Sequence, residues 1–293
     1  MKIYEILVNI NSDSKRLDYK PLMTGFETID NLVQGWKPGE LCVIASRPAI
    51  GKTALILSLV RNIVNRKIPV ALFTATDSEN PSFISRVAHN LLDLKIKDKE
   101  NDPLRFLTQV DLSDKAFYLY SNHEMTIDLI CYHAKEMVEK NGVKCIFIET
   151  AQRIFFNSNS YLEDKLMEKD ILALKKLAHE LNIPIVISSD LSIAVECREG
   201  LDGKTPVLSD LSYCSAIENV SDSVWLLHRP SSYGLMMDEN GDDLSNVAFI
   251  KIAKNRYGRT GKICLIFNEE KCSIEDSHSE QNLMLGENNR DLS

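Results

Sequence analysis

The sequence lacks the features of a secreted, membrane-spanning or zinc-binding protein. Its seven cysteines are scattered and form no Cys-x-x-Cys pair, so they suggest neither a zinc site nor a disulfide framework. No apolar run reaches the roughly 18 residues that a membrane helix needs. The first residues, MKIYEILVNINSDSKR, are too polar for a secretory signal. We therefore expect a cytoplasmic protein with no membrane partner.

Acidic residues also outnumber basic ones in the sequence. The formal net charge is −8, which gives no overall electrostatic attraction to nucleic acid. A surface that binds nucleic acid would need a local basic lining. Hydrophobic residues make up 44% of the chain and charged residues 26%, which predicts a sizeable folded core. A length of 293 residues fits one large α/β domain or two small ones.

Short apolar segments alternate with amphipathic ones from about residue 41. The segments typical of strands are LCVIA (41–45), PVALFTA (69–75), FYLYS (117–121), KCIFIE (144–149), PIVISSD (184–190), SDSVWLLHRP (221–230), NVAFIKIAKNR (246–256) and GKICLIF (261–267). Helical spacing appears over 53–67, 80–94, 126–142 and 163–182. The alternation predicts an α/β fold, a mostly parallel sheet with helices on both faces. The last three strands follow one another closely and are candidates for antiparallel pairing.

The stretch SRPAIGKT, residues 46 to 53, is almost a phosphate-binding loop. Gly51, Lys52 and Thr53 fit the pattern, whereas Ser46 replaces its first glycine. The stretch lies between a predicted strand and a predicted helix, where backbone N–H groups form an anion cradle. It predicts a site for ATP and Mg²⁺, in which Lys52 reaches the β- and γ-phosphates and the Thr53 hydroxyl binds the metal. A chance GKT at a helix start is the alternative. The candidate binding residues are Ser46, Arg47, Pro48, Ala49, Ile50, Gly51, Lys52, Thr53 and Ala54.

Charged residues stand at two other predicted strand ends. KCIFIE ends in Glu149, and in P-loop NTPases a strand beside the P-loop strand delivers an acid to the Mg²⁺ shell. Glu149 is therefore a candidate metal ligand and catalytic residue. Lys254 and Arg256 are two residues apart, so they point to the same side of a strand. Such a pair could stabilise a phosphoryl transition state, in cis or across a subunit interface. For Glu149 as for this pair, the alternative is a charged strand end that is simply exposed to solvent.

Six motifs follow one another over about residues 21–270: TGFETID, GELCVIASRPAIGKTALIL, IFIETAQRI, SDLSIAVECR, SDLSYCSAIENVSDSVWLLHR and IAKNRYGRTG. Together and in this order they resemble the bacterial replicative DNA helicases of the DnaB type, whose motor domain has the RecA fold. The resemblance implies a RecA-like P-loop NTPase that uses ATP and Mg²⁺, binds single-stranded DNA and forms a homo-oligomeric ring of six subunits, with other replication proteins as further partners. It also implies that Lys254 and Arg256 act in trans on the neighbour's γ-phosphate.

The same resemblance divides the chain into three parts. Residues 1–20 are a short lead, residues 21–275 the RecA-like ATPase domain, and residues 276–293 a polar tail. Because only some 20 residues precede the motor, we expect the chain to lack the family's N-terminal domain.

The sequence departs from the family at several functional positions. Thr76 stands where the family has its catalytic glutamate, and the following Asp77 points the other way along a strand. Glu149 replaces the family's metal-directed aspartate, Asp190 its glutamine that senses the γ-phosphate, and Ser212 an arginine. A threonine hydroxyl is no general base at neutral pH, so we expect slow hydrolysis.

The segments that match the family's DNA-contacting loops are poor in net positive charge. Residues 157–170 contain two cations and four anions, and residues 198–205 are net neutral. Phosphate contacts usually come from Lys, Arg and loop N–H groups, so this composition predicts weak DNA binding. Two main functions stay open: an ATP-driven translocase on single-stranded DNA, or a catalytically weakened helicase paralogue that regulates or partners a helicase ring. A RecA-fold ATPase with a client other than DNA is a third.

Overall fold

A computed structural model of the chain describes residues 20–76, 80–92, 116–149, 163–200, 202–211 and 215–277. Residues 1–19, most of the tail, Asp77, Ser212 and residues 157–162 of the first DNA-loop segment lie outside these ranges. In the ranges that are described, no helix combines the length and the apolar character needed to cross a membrane.

The described strands form one nine-stranded sheet in the order β3-β2-β4-β5-β1-β6-β7-β8-β9. The strands from β1 to β6 pair in parallel, and β7, β8 and β9 extend the sheet by antiparallel pairing. Their bounds are β1 Leu41–Ser46, β2 Val70–Thr74, β3 Phe117–Ser121, β4 Cys145–Glu149, β5 Ile185–Asp190, β6 Ser223–His228, β7 Val247–Asn255, β8 Gly261–Asn268 and β9 Ser273–Asp276.

The predicted antiparallel pairing of the last three predicted strands is confirmed, since β6 pairs with β7 and β7 with β8 in that direction. On its other side β6 pairs in parallel with β1, because the chain returns to the amino edge of the sheet through a helix before it enters β6. β7 and β8 are joined by a short turn over residues 256–260, and a turn of that length permits only an antiparallel pair. The strand β9 was not predicted from the sequence.

Four predicted helices are confirmed, and three shorter ones were not predicted. The apolar face predicted for the helix after the P-loop, formed by Leu55, Leu59 and Ile63, is fully buried. The α-helices within the described ranges are α1 Glu27–Val33, α2 Lys52–Val64, α3 Pro81–Leu92, α4 Ile127–Asn141, α5 Glu163–Leu181, α6 Ala194–Cys197 and α7 Ser215–Val220.

Hydrophobic cores lie on both faces of the sheet, as predicted. Successive side chains of β1 alternate between them. Cys42 and Ile44 pack with α1, α2 and α3 on one face, and Val43 and Ala45 pack with α4 and α5 on the other. In the first core the rings of Trp36 and Trp225 stack with their centroids 5.3 Å apart.

The burial and stacking of Trp225 predict that truncating its side chain strongly destabilises the fold. The side chain is fully buried, so Trp225→Ala opens a cavity and should lower the free energy of unfolding by about 3–5 kcal/mol. Tyr132→Ala is the matched control, because Tyr132 is 66% exposed, and should change it by less than about 0.5 kcal/mol. Urea unfolding measures both values, and equal effects of the two truncations would contradict the packing.

Candidate nucleotide-binding site

Residues 46–53 form a tight turn between β1 and α2. Ala49 and Gly51 both have positive φ, 65° and 112°, which leads the backbone sharply into the helix. At Gly51 a side chain would be strained and also crowded, because a Cβ there would lie 3.1 Å from the Phe267 ring. Glycine at position 51 is therefore required by the positive φ and by the neighbouring Phe267 ring.

The parallel strands bring several functional side chains to the carboxyl edge of the sheet. Ser46 at the end of β1 is in register with Asp190 at the end of β5. In the same way Thr74 of β2 is in register with Glu149 of β4. The sequence positions of these residues are far apart, and the strand order alone places them around the start of α2.

Lys52 and Thr53, the first residues of α2, each contact one of these carboxylates. The Thr53 hydroxyl donates to Glu149, and the Lys52 ammonium forms a salt bridge with Asp190. Lys52 Nζ also donates to the Ser189 carbonyl at 3.0 Å. Burial lowers the pKa of Lys52, and the Asp190 charge opposes that shift. The ammonium is thus held by acceptors that a bound phosphate would have to replace.

The donors at this edge fit the predicted Mg²⁺. The Thr53 hydroxyl and the Glu149 carboxylate are hard oxygen ligands, the kind that Mg²⁺ prefers. Glu149 is 6% exposed, so the metal would offset the burial of its charge. The two predicted metal ligands are therefore brought into direct contact with each other by the fold.

A cavity of about 460 Å³ opens over the loop. Two of the nine predicted binding residues, Ser46 and Ile50, are buried and do not line it. The other seven line it: Arg47, Pro48, Ala49, Gly51, Lys52, Thr53 and Ala54.

Four lining residues come from distant parts of the chain: Arg86 of α3, Asp190, Phe267 of β8 and Cys272. Apart from Asp190, which the sequence marks as a departure from the family, they were not predicted. Phe267 reaches the cavity because the antiparallel extension folds back beside the loop, and no local sequence pattern predicts this. The Arg229 guanidinium lies 3.6 Å from the centroid of the Phe267 ring, which fixes this wall of the cavity.

Thr76 lies just past the end of β2, which stops at Thr74 rather than at the predicted residue 75. Its N–H donates to the Thr74 hydroxyl at 3.0 Å, and its carbonyl accepts from the Ser121 hydroxyl. Within the described part of β2 and the turn that follows it, no residue carries a carboxylate. The position at which the resemblance predicts a catalytic glutamate thus carries a hydroxyl.

Lys254 and Arg256 lie at the opposite, amino edge of the sheet. Lys254 Nζ donates to the carbonyls of Glu218, Asn219 and Ser221, where α7 ends. Arg256 follows β7 directly and is half exposed, with Nη1 donating to Asp222 at 3.1 Å. β1 spans five residue steps between the two edges, or about 17 Å. The structure therefore does not bring these two cations to the P-loop of the same chain.

Asp222 organises the amino edge. It is fully buried, and one carboxylate oxygen accepts from the Leu41 N–H at 2.8 Å and from Lys175 Nζ. The other oxygen accepts from Arg256, whose own N–H donates to the Asp222 carbonyl. Asp222 therefore fixes both the backbone and the guanidinium of Arg256 against the start of β1.

Glu40 is a second buried acid at this edge. It is 2% exposed, and its carboxylate accepts from the Lys37 N–H at 2.8 Å. Burial raises the pKa of Glu40 to about 7, the charge of Asp222 adds to the shift, and the Lys37 hydrogen bond opposes it. The folded chain therefore retains this proton well above the pH at which an exposed glutamate loses it.

Comparisons with known proteins agree on one family. The model of the DnaB-like helicase C terminal domain matches residues 21–276. The replicative DNA helicase DnaB of Mycoplasma pneumoniae is 29% identical over 277 residues, with 87% of this chain and 56% of that protein covered. The probable plasmid replicative DNA helicase of Chlamydia psittaci is 30% identical over 261 residues, with 86% and 55% covered. The chain thus spans little more than half the length of these relatives.

Two solved structures share the fold. A DnaB-like replicative helicase, described with its interactions with primase, superposes with a TM-score of 0.78 at 23% identity over 95% of this chain and 67% of that one. A second solved structure, described as an ATPase domain, gives 0.77 at 23% identity over 94% and 99%. These likenesses confirm the predicted RecA-like α/β fold.

The raised pKa of Glu40 predicts a pH-dependent stability. An unfolded glutamate loses its proton near 4.5 and the folded one near 7, so between these values the folded state binds more protons. Stability should therefore fall as pH rises through this window, by at most about 1.4 kcal/mol per pH unit. Glu40→Gln removes the dependence, and urea unfolding of both proteins at about pH 5, 6 and 7 gives the difference.

Comparing the two proteins is necessary because His228 acts in the opposite direction. Burial lowers its pKa to about 4, so its contribution to stability rises with pH up to the ordinary histidine value. This contribution is common to both proteins and cancels in the difference. Parallel stability curves for wild type and Glu40→Gln would contradict the assignment.

Proposed function

We propose that the chain, which belongs to the family of DnaB-like helicase C-terminal domains, is the motor domain of a DNA helicase ring that acts in DNA replication. In this proposal the domain binds ATP with Mg²⁺, hydrolyses it slowly and moves along single-stranded DNA. The observation that carries the proposal is the placement of Lys52 and Thr53 at the cavity beyond the end of β1, with the Glu149 carboxylate in contact with the Thr53 hydroxyl.

Nucleotide binding would use groups that the fold already positions. The loop N–H groups and the start of α2 attract the phosphates, and Lys52 exchanges Ser189 and Asp190 for phosphate oxygens. Thr53 and Glu149 hold Mg²⁺, which neutralises charge on the phosphates when it is bound. The Phe267 ring offers an aromatic surface for the base on the cavity wall.

The trans role of Lys254 and Arg256 rests on their distance from the P-loop. Cations at the amino edge, about 17 Å from the carboxyl edge, can act on a γ-phosphate only in another copy of the chain. A contact between the amino edge of one copy and the carboxyl edge of the next is head-to-tail, and such contacts form a ring when the rotation between copies closes. This supports a homo-oligomeric ring, and the family resemblance sets its size at six.

In the segment 198–205, which would face DNA, the two cations make contacts within the protein. Arg198 forms a salt bridge with the buried Asp210 and donates to the Gly203 and Thr205 carbonyls. Lys204 Nζ donates to the carbonyls of Glu196 and Arg198. These cations shape the loop and are not held out toward solvent, so DNA phosphates would be bound mainly by backbone N–H groups. We therefore infer weak DNA binding with only a small dependence on salt concentration.

A second candidate function is favoured by Thr76. Without a carboxylate at the end of β2 the attacking water has no general base there, which typically slows hydrolysis about 10² to 10⁴-fold. A subunit that holds nucleotide but turns it over slowly would act as a regulator or partner of a helicase ring. The interactions with primase described for one solved relative make other replication proteins candidate partners of either form.

The first prediction of the proposal concerns Lys52. Lys52→Ala should weaken binding of Mg²⁺-nucleotide roughly 10- to 100-fold, because a charge-assisted contact to the phosphates is lost. Isothermal titration calorimetry measures this loss. Lys176→Ala is the control, since its side chain is 77% exposed on α5, and should leave affinity unchanged. Equal affinities of wild type and Lys52→Ala would reject the site.

The second prediction separates a working motor from a weakened one. Thr76→Glu supplies a carboxylate beside the water position and should raise steady-state turnover of saturating Mg-ATP by roughly 10² to 10⁴-fold. Thr76→Gln, of the same length but uncharged, should not. If wild type already turns over at about 1 to 10³ per second and Thr76→Glu changes nothing, hydrolysis is not impaired by Thr76. Measuring turnover with and without single-stranded DNA also tests whether ATP hydrolysis is coupled to DNA.

A further inference from the structure

Asp190 places a negative charge where the phosphates of a nucleotide would lie. It is the last residue of β5, the strand directly beside the P-loop strand, and it is in register with Ser46 at the start of the loop. Its carboxylate forms a salt bridge with Lys52 and lines the cavity. It therefore belongs to the cavity wall and not to the outer surface of the sheet.

The contact between Asp190 and Lys52 indicates which phosphate of a bound nucleotide would lie near Asp190. A P-loop lysine at this place reaches the β- and γ-phosphates, while the loop backbone holds the inner phosphates. A carboxylate within contact distance of the lysine ammonium therefore lies at the terminal-phosphate end of the site. A third phosphate would extend toward Asp190, whereas a chain of two phosphates would end at Lys52.

Two cations of the cavity lining, Arg47 and Lys52, also have partners other than Asp190. Arg47, which also lines the cavity, donates through Nε to Glu196 and through Nη1 to the Leu191 carbonyl, both at 2.7 Å. These contacts turn its guanidinium toward the 191–196 segment. Lys52 must serve both Asp190 and the phosphates. Among the described lining residues, Arg86 is the remaining cation, and it comes from α3 on the other wall.

We propose that Asp190 makes this a diphosphate-selective site, which binds a nucleoside diphosphate more tightly than the corresponding triphosphate. The inference rests on the proposed nucleotide site and specifies which nucleotide it retains. A γ-phosphate and the Asp190 carboxylate are like charges in a partly desolvated cavity, and their repulsion is unfavourable. The subunit would then rest in its diphosphate-bound form and would require a neighbour's cations to hold a triphosphate.

The ratio of two affinities isolates this effect. Replacing Asp190 by a neutral residue releases Lys52 for the phosphates of either nucleotide. It also removes the repulsion of the γ-phosphate, which strengthens binding of the triphosphate only. The ratio of the triphosphate Kd to the diphosphate Kd therefore reports the effect of the Asp190 charge on the γ-phosphate, both directly and through Lys52, and cancels effects that are common to both nucleotides.

The test compares wild type with Asp190→Asn by calorimetry in Mg²⁺. The probes are ADP and an ATP analogue whose β,γ-bridge is a non-hydrolysable imido group. We expect wild type to bind ADP more tightly and Asp190→Asn to lower the Kd ratio roughly tenfold or more. Asp190→Glu keeps the charge and should keep the preference. Glu136→Gln, which removes an exposed acid on α4, should leave the ratio unchanged.

Each other outcome is decisive. If wild type binds the analogue as tightly as ADP, or the ratio is the same in Asp190→Asn, Asp190 does not select the nucleotide while the nucleotide site itself stands. If wild type binds neither probe, the proposed function is wrong and the inference falls with it. Asp190→Gln is a second neutral variant, and circular dichroism confirms that each variant is folded before its ratio is judged.

Discussion

The parallel pairing of β2, β4, β5, β1 and β6 is the constraint on which the rest of the structure depends. Parallel strands end at a common edge, so residues separated by more than a hundred positions meet at the start of α2. The same constraint places the residues that precede these strands at the other edge. The nucleotide cavity and the Arg256 cation are thus kept apart within one chain, and a site that uses both requires two copies.

Buried charges at both edges make this arrangement specific. At the carboxyl edge Lys52 is held by Asp190, and at the amino edge Asp222 is held by Lys175 and Arg256. Removing one member of such a set leaves a buried charge without its partner, which is strongly unfavourable. The carboxyl-edge set can be reorganised by a ligand, because phosphate oxygens can replace Asp190 on Lys52. The amino-edge set is tied to backbone groups of β1 and stays in place.

Much of the fold and part of the site follow from local sequence. Gly51, Lys52, Thr53 and Glu149 are predictable, because a glycine turn, a helix start and an apolar strand ending in an acid are short-range patterns. The contacts of Phe267 and Arg86 with the cavity are not, since they depend on how an antiparallel extension and a distant helix pack against the loop. The parallel pairing of β6 with β1, beside its antiparallel pairing with β7, likewise follows from how the chain connects the strands and not from their composition.

The oligomeric state in the presence of nucleotide tests most directly whether the site is completed between copies. Light scattering at raised protein concentration, with Mg²⁺ and either ADP or a non-hydrolysable ATP analogue, measures it. We predict assemblies larger than a dimer for wild type, and smaller species for an Arg256→Ala variant that remains folded and still binds nucleotide. A wild-type chain that stays strictly monomeric under every nucleotide condition would contradict both the ring and the trans role of Arg256.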